Sequence, residues 1–105
     1  MQFENVTALA VGNVYFDGKV ISHTILTESG ERKTLGVILP GSYHFGTEAA
    51  ELMEIVGGEC SYVLDGTEES HAVSAEGSFN VPANSGFTIT VAGESCHYVC
   101  SFLES

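Results

Sequence analysis

The chain has 105 residues, enough for one hydrophobic core and too few for two. A hydrophobic fraction of 44% against 16% charged residues excludes a disordered chain, because burial of that much apolar surface offsets the entropy of ordering the backbone. Fourteen acids stand against only Lys19, Arg32 and Lys33, giving a net charge of -11 and excluding a nucleic-acid or anionic-membrane partner, which needs many cations to neutralise phosphates.

Met1-Gln2-Phe3-Glu4-Asn5 has neither a basic region nor an apolar segment, and no membrane-length apolar run follows. The expectation is a soluble, cytoplasmic protein. Residues 1–13 read as an N-terminal extension to a core over 14–103, and the whole as one domain. Short β-rich runs then follow, punctuated by glycine: Val20 to Thr27, Thr34 to Leu39, Ser42 to Phe45, Leu52 to Val56 and Cys60 to Leu64. His71 to Val73, Ser78 to Val81, Phe87 to Val91 and His97 to Leu103 complete the set. Most alternate with period two: Phe87, Ile89 and Val91 fall on one face and Thr88 and Thr90 on the other, and Tyr98, Cys100 and Phe102 repeat the pattern. Leu64-Asp65-Gly66-Thr67 is a hairpin turn, with Asp-Gly supplying positive φ. Pro82 sits just after Val81, where a missing amide hydrogen does least harm to a ladder. Only Thr47 to Met53 has helical character, and it is too short to matter. The pattern predicts an all-β, single-domain jelly-roll barrel.

Three cysteines cannot pair completely. Cys96 and Cys100 lie in one strand, where four residues at roughly 3.3 Å each put their Cα atoms about 13 Å apart, beyond disulfide reach. Buried free thiols in a reducing compartment are expected.

Several reaction classes lack their residues. There is no phosphate-cradling glycine loop followed by Lys-Ser or Lys-Thr, no cysteine pair at zinc spacing and no Gly-x-Ser-x-Gly elbow. His23, His44, His71 and His97 are scattered, with no two forming a short ligand pair.

Gly77-Ser78-Phe79-Asn80-Val81-Pro82-Ala83-Asn84-Ser85-Gly86-Phe87 resembles the second conserved motif of cupin barrels, with Phe87 where a metal-binding cupin places histidine. Glu51 and Gly58 keep the Glu-to-Gly spacing of the first motif. Counting back from Glu51 puts Phe45 and Thr47 at its two histidine positions, with His44 one residue out of register. A one-residue loop difference would bring His44 to a ligand position, but with Phe87 in place a stable ligand set is not expected.

Three blocks together resemble the bacterial pyrimidine/purine nucleoside phosphorylases, a family of small metal-free cupins. They are Tyr15-Phe16-Asp17-Gly18-Lys19-Val20; Gly36-Val37-Ile38-Leu39-Pro40-Gly41-Ser42-Tyr43-His44-Phe45 with Thr47, Glu51 and Met53; and Ser78-Phe79-Asn80-Val81-Pro82 through Phe87 with Tyr98-Val99-Cys100. The resemblance spans Val14 to Leu103. It implies a cupin-type jelly-roll barrel that cleaves the N-glycosidic bond of purine and pyrimidine nucleosides with broad specificity. The products would be a free base and ribose 1-phosphate, with inorganic phosphate as co-substrate, no metal or other cofactor, and a homodimeric assembly.

Phosphorolysis needs phosphate near C1′, support for a cationic sugar and a way for the departing base to shed negative charge. Positioning and preorganised electrostatics can meet all three. Arg32, after the turn at Gly30, is the candidate phosphate ligand by its two-pronged donor geometry, or else a surface ion pair. Lys19 is a second cation matching the family block. Thr47 could donate to phosphate or a ribose oxygen, or else cap a strand end. Glu51 could accept from ribose hydroxyls or steady the cationic sugar, or else be an ordinary exposed acid. Tyr43, Phe45 and Phe87 could line the cavity and stack on any base, or else be core, and Tyr98 could offer its hydroxyl. His44 and His97 have the opposite parity and read as surface or dimer-contact residues, although His44 could protonate a leaving base. The alternatives are a non-catalytic small-molecule-binding cupin and a metal-dependent cupin using His44.

Overall fold

A computed structural model describes residues 1–103. Two antiparallel sheets are packed face to face. The larger contains β1 (Thr7–Ala8), β2 (Asn13–Tyr15), β3 (Val20–Leu26), β4 (Arg32–Ile38), β6 (Ala50–Gly57), β9 (Ser78–Val81) and β11 (Cys96–Leu103). Its strand order is β1-β3-β4-β11-β6-β9, with β2 also paired to β3. The smaller contains β5 (Gly41–Gly46), β7 (Glu59–Leu64), β8 (His71–Ser74) and β10 (Gly86–Val91), in the order β5-β10-β7-β8. One 3-10 turn, Phe16–Gly18, joins β2 to β3.

The period-two pattern does what it predicts. Phe87, Ile89 and Val91 are buried while Thr88 and Thr90 are half-buried on the other side of β10. The core forms where the inward faces meet, with Val20, Ile38, Ile55 and Val81 from the larger sheet against Tyr43, Phe87, Ile89 and Val91 from the smaller. Tyr62 stacks on Phe79 across this interface with ring centroids 3.8 Å apart. Cys60, Cys96 and Cys100 are buried free thiols, as the spacing predicts.

One expectation is revised. The two sheets share no ladder, so main-chain hydrogen bonding does not close into a barrel; the molecule is two facing sheets in one compact domain. Within residues 1–13, Thr7 and Ala8 form β1 and pair with Leu26 and Ile25. The helical character from Thr47 to Met53 is, as expected, too short to form a helix, and Ala50–Gly57 is a strand held on both sides, by β11 and β9. Two flanking ladders outweigh the weak propensity of Ala, Glu, Leu and Met for helix.

Register sets the site. On the inner face of the larger sheet, cross-strand partners form the row Ser22, Gly36, Tyr98, Ile55 and beside it Thr24, Thr34, Cys100, Met53. Phe102 and Glu51 face each other at the strand ends. Arg32, one residue beyond the Lys33–Ser101 pair, adjoins Phe102 there. Gly36 is needed opposite Tyr98, because a Cβ on it would overlap the phenol ring.

Candidate active site

A cavity of about 550 Å3 opens between the sheets, with Gly46 at the end of β5 and Glu51 near the start of β6 both on its wall. The larger sheet gives it a polar side made of Ser22, Thr24, Arg32, Thr34, Glu51 and Tyr98, and the smaller sheet gives Phe45 and Phe87. Tyr15 and Phe16 complete the aromatic wall. Phe45 and Phe87 lie stacked at 5.8 Å between centroids, while Tyr15 and Phe16 meet Phe45 edge-on at 5.9 and 5.4 Å. Such offset and edge arrangements are the favoured ones for aromatic pairs, so the wall is self-supporting. Phe16 and Asp17 take positive φ, 52° and 56°, to turn the chain over the cavity. This left-handed conformation is costly for a bulky side chain and is held here by the contacts of Phe16 with Phe45 and Tyr43.

The polar side is a connected cluster. The Arg32 guanidinium lies 3.9 Å from the centroid of the Phe102 ring. Among the described residues the ion-pair contacts are His44–Asp65 and His71–Glu69, so Arg32 is not neutralised by a carboxylate in direct contact. Burial pushes the Glu51 carboxyl above its ordinary value, against the opposing pull of a Cys100 thiol hydrogen bond and the charge of Arg32. Burial, with the Glu51 charge next, pushes the Cys100 thiol up to about 12, which makes it a poor nucleophile. Burial likewise pushes the Tyr98 hydroxyl up to about 12 despite a hydrogen bond with Ser22, so it is a neutral donor at physiological pH. Asn13 donates to Ser22 Oγ at 3.2 Å and Thr24 Oγ1 at 3.4 Å, ordering that hydroxyl row.

Of the residues singled out from sequence, Arg32, Glu51, Phe45, Phe87 and Tyr98 are brought together on this wall. Lys19, Tyr43 and Thr47 are not. Lys19 is exposed after the 3-10 turn, where its backbone N–H donates to Phe16 O at 3.1 Å. Tyr43 is buried, and its hydroxyl donates to the carbonyls of Leu39 and Pro40, both at 2.9 Å. Thr47 is buried too, donating to Pro82 O at 2.6 Å and accepting from the Ser85 N–H at 3.0 Å. It ties the β5–β6 connection to the β9–β10 connection.

Sequence reasoning missed several wall residues. Asn13 lies in a strand of three residues with no readable pattern. Ser22, Thr24, Thr34 and Cys100 carried a signal, namely polar or weakly polar residues at inward parity in otherwise apolar runs. His44 is exposed, as expected, next to the cavity-lining Phe45, and its Nε2 contacts Asp65 at 3.0 and 2.9 Å. Asp65 had a visible role only as a turn residue.

The positions at which metal cupins carry ligands hold Phe45, Thr47, Glu51 and Phe87. Thr47 is engaged by backbone groups, and among the described residues no three His, Cys, Asp or Glu side chains form a group able to hold a metal ion.

An aromatic cleft of this size, with a guanidinium that meets no carboxylate among the described residues and a half-buried carboxyl on its opposite side, has the features of a small-molecule site in an all-β protein. A family model for pyrimidine/purine nucleoside phosphorylase matches residues 10–102, and the chain belongs to that family. It is 53% identical over 102 residues to the pyrimidine/purine nucleoside phosphorylase of Paraburkholderia xenovorans, covering 97% of this chain and 95% of the relative. It is 54% identical over 101 residues to the protein of the same name from Hydrogenovibrio crunogenus, covering 93% and 97%. A crystal structure of a protein of unknown function from Acinetobacter sp. ADP1 superposes with a TM-score of 0.94 at 45% identity, covering 97% of this chain and 98% of that one. Among the described residues no helix is long and apolar enough to cross a membrane.

Proposed function

We propose that the protein is a broad-specificity nucleoside phosphorylase, transferring the pentosyl group of purine and pyrimidine nucleosides to inorganic phosphate without a metal or other cofactor. The family name supports nucleosides and phosphate as its substrates. The observation that carries the reading is the pairing, in one cavity, of a guanidinium that makes no carboxylate contact among the described residues with a wall of stacked aromatic rings. Arg32 binds phosphate through its paired N–H donors. Phe45 and Phe87 stack on the base, and a ring face accepts any base, which gives broad specificity. Glu51 accepts from ribose hydroxyls and supports the cationic sugar, and Tyr98 donates to a sugar or base oxygen. Thr47 serves by holding the mouth of the cavity in shape, and Lys19, at the edge of the 3-10 turn, adds a second positive charge near the entrance.

In the same reading the two sheets are the halves of a cupin-type jelly roll, the active species is a homodimer, and the enzyme works in the cytoplasm. The test is release of free base from adenosine and from uridine, with and without phosphate, by the wild type and Arg32→Ala. Release that requires phosphate and is lost in the variant supports the reading. Binding of nucleoside with no release supports a non-catalytic binding protein instead.

A further inference from the structure

Three polar residues from three strands are joined on the inner face of the larger sheet. Asn13 on β2 pairs with Ser22 on β3, Ser22 with Gly36 on β4, and Gly36 with Tyr98 on β11. Tyr98 reaches back along this row. Its ring lies over Gly36 so closely that a Cβ there would come within 2.6 Å of the phenol oxygen, which sets the hydroxyl beside Ser22, its hydrogen-bond partner. Asn13, Ser22 and Tyr98 all line the cavity. The direction of donation is set from one end, because the Asn13 amide nitrogen only donates, to Ser22 Oγ at 3.2 Å and Thr24 Oγ1 at 3.4 Å. Ser22 then has its own hydrogen to give, and Tyr98 Oη takes it. The phenol hydrogen is left for a ligand.

Spacing along the sheet points to the ligand atom. Successive inward rows are two residues, or about 6.6 Å, apart. Arg32 and Phe102 stand in one row, Thr34 and Cys100 in the next, and Gly36 and Tyr98 in the third. Displacement at C1′ needs the attacking and departing atoms on opposite sides of that carbon, with the attacking oxygen about 3–3.5 Å away. Phosphate on Arg32 therefore sets the sugar over the second row and directs the base towards the third. Purine N3 and pyrimidine O2 flank the glycosidic bond in equivalent positions, which is why both face the same groove of a duplex. A single fixed donor in the third row can meet either one.

We infer that the Tyr98 hydroxyl is the hydrogen-bond donor to the departing base, at purine N3 or pyrimidine O2, and that Ser22 and Asn13 are its positioning residues. The inference rests on the phosphorylase reading above and names the group that takes up the leaving charge. In the step, an oxygen of hydrogen phosphate bonds to C1′ as the C1′–N bond breaks, and the electron pair of that bond passes into the base. Negative charge spreading to N3 or O2 strengthens the bond from Tyr98, which keeps its proton. The hydrogen of hydrogen phosphate reaches the base through water, so ribose 1-phosphate and neutral base are the products.

The test compares adenosine, 1-deazaadenosine, 3-deazaadenosine, 2′-deoxyadenosine and uridine, all with inorganic phosphate. Tyr98→Phe keeps the ring over Gly36 and removes the hydroxyl. It is expected to lower kcat by about 100-fold on every substrate except 3-deazaadenosine, the usual loss for one donor to developing negative charge. On 3-deazaadenosine, which has carbon in place of N3, it is expected to lie within a few-fold of wild type. The wild type should itself turn over this analogue more slowly than 1-deazaadenosine. Ser22→Ala and Asn13→Ala should show smaller losses with the same selectivity, and neither should add to the loss in a Tyr98→Phe background. Equal losses on all five substrates, no loss on any, or a loss spared on 2′-deoxyadenosine instead would overturn the inference while leaving phosphorolysis intact. Additive losses would remove Ser22 and Asn13 from it. A thermal melt of each variant identifies misfolding, and should Tyr98→Phe misfold, Ser22→Ala carries the same comparison. A wild type that releases no base from adenosine or uridine removes the phosphorylase reading and this inference with it.

Discussion

The Arg32 guanidinium sits 3.9 Å from the centre of the Phe102 ring, in a molecule with fourteen acids and three basic residues. Face stacking of this kind holds a guanidinium without consuming its hydrogen-bond donors, which stay in the plane of the group. The acidic surface would be expected to capture any arginine, yet here the charge is presented to a cavity.

Arg32→Lys is therefore a severe change. Lysine keeps the charge and loses both the stacking and the paired donors. The KM for phosphate should rise and kcat/KM fall by about 30- to 150-fold, equivalent to roughly 2–3 kcal/mol for a charge-assisted hydrogen bond pair. Initial rates at varied phosphate check this, and unchanged phosphate dependence would remove Arg32 from the site.

Glu51 couples pH to stability. Its folded-state ionisation lies above the ordinary 4.5, chiefly through burial, so the folded protein holds the proton more tightly than the unfolded chain. That contribution is fully present below 4.5 and is lost as pH rises through the folded-state value. Glu51→Gln removes the cost of ionising a half-buried group, so it should be the more stable protein at neutral pH, with the difference shrinking towards pH 4.5. Urea unfolding of both proteins between pH 5 and 8, read as the midpoint difference, tests the direction.

The contact of Gly36 with Tyr98 predicts strong coupling. Gly36→Ala forces a methyl group into the phenol ring and should destabilise by about 1–3 kcal/mol, the usual cost of overpacking. In a Tyr98→Ala background the same change should cost far less. A double-mutant cycle giving additive effects would contradict the packing described.

Thr47 separates a structural from a catalytic role. Thr47→Val keeps the volume but leaves the Pro82 carbonyl and Ser85 N–H without their partner, a loss of about 1–3 kcal/mol. Stability should fall while the KM for phosphate stays near wild type. A phosphate KM that rises with unchanged stability would place the hydroxyl on the substrate instead.

Much of this was legible in the sequence, and the parts that were not share a cause. Alternation in Phe87–Val91 and Tyr98–Phe102 gave the buried faces because both strands are long and flanked by others. β1 and β2 are two and three residues long and exist only through pairing with β3, so no local pattern marks them. The contact between Glu51 and Cys100 depends on the register between β6 and β11, which no spacing within either strand specifies. Parity placed Phe45 on the inward face of β5 and His44 on the exposed one, as found. The His44 partner Asp65 was not readable, because the contact over Gly86 depends on the register of β5, β10 and β7. Phe45 and Phe87 were readable as inward-facing rings, but that they stack on one another was not.

The central claim is that this cavity joins phosphate to the sugar of a nucleoside. It is tested most directly by following the reaction of uridine and of adenosine with phosphate by phosphorus NMR, using chelator-treated protein. The account predicts ribose 1-phosphate appearing in step with free base from both nucleosides. Free base without a phosphate ester, or no reaction until a metal ion is restored, would contradict it.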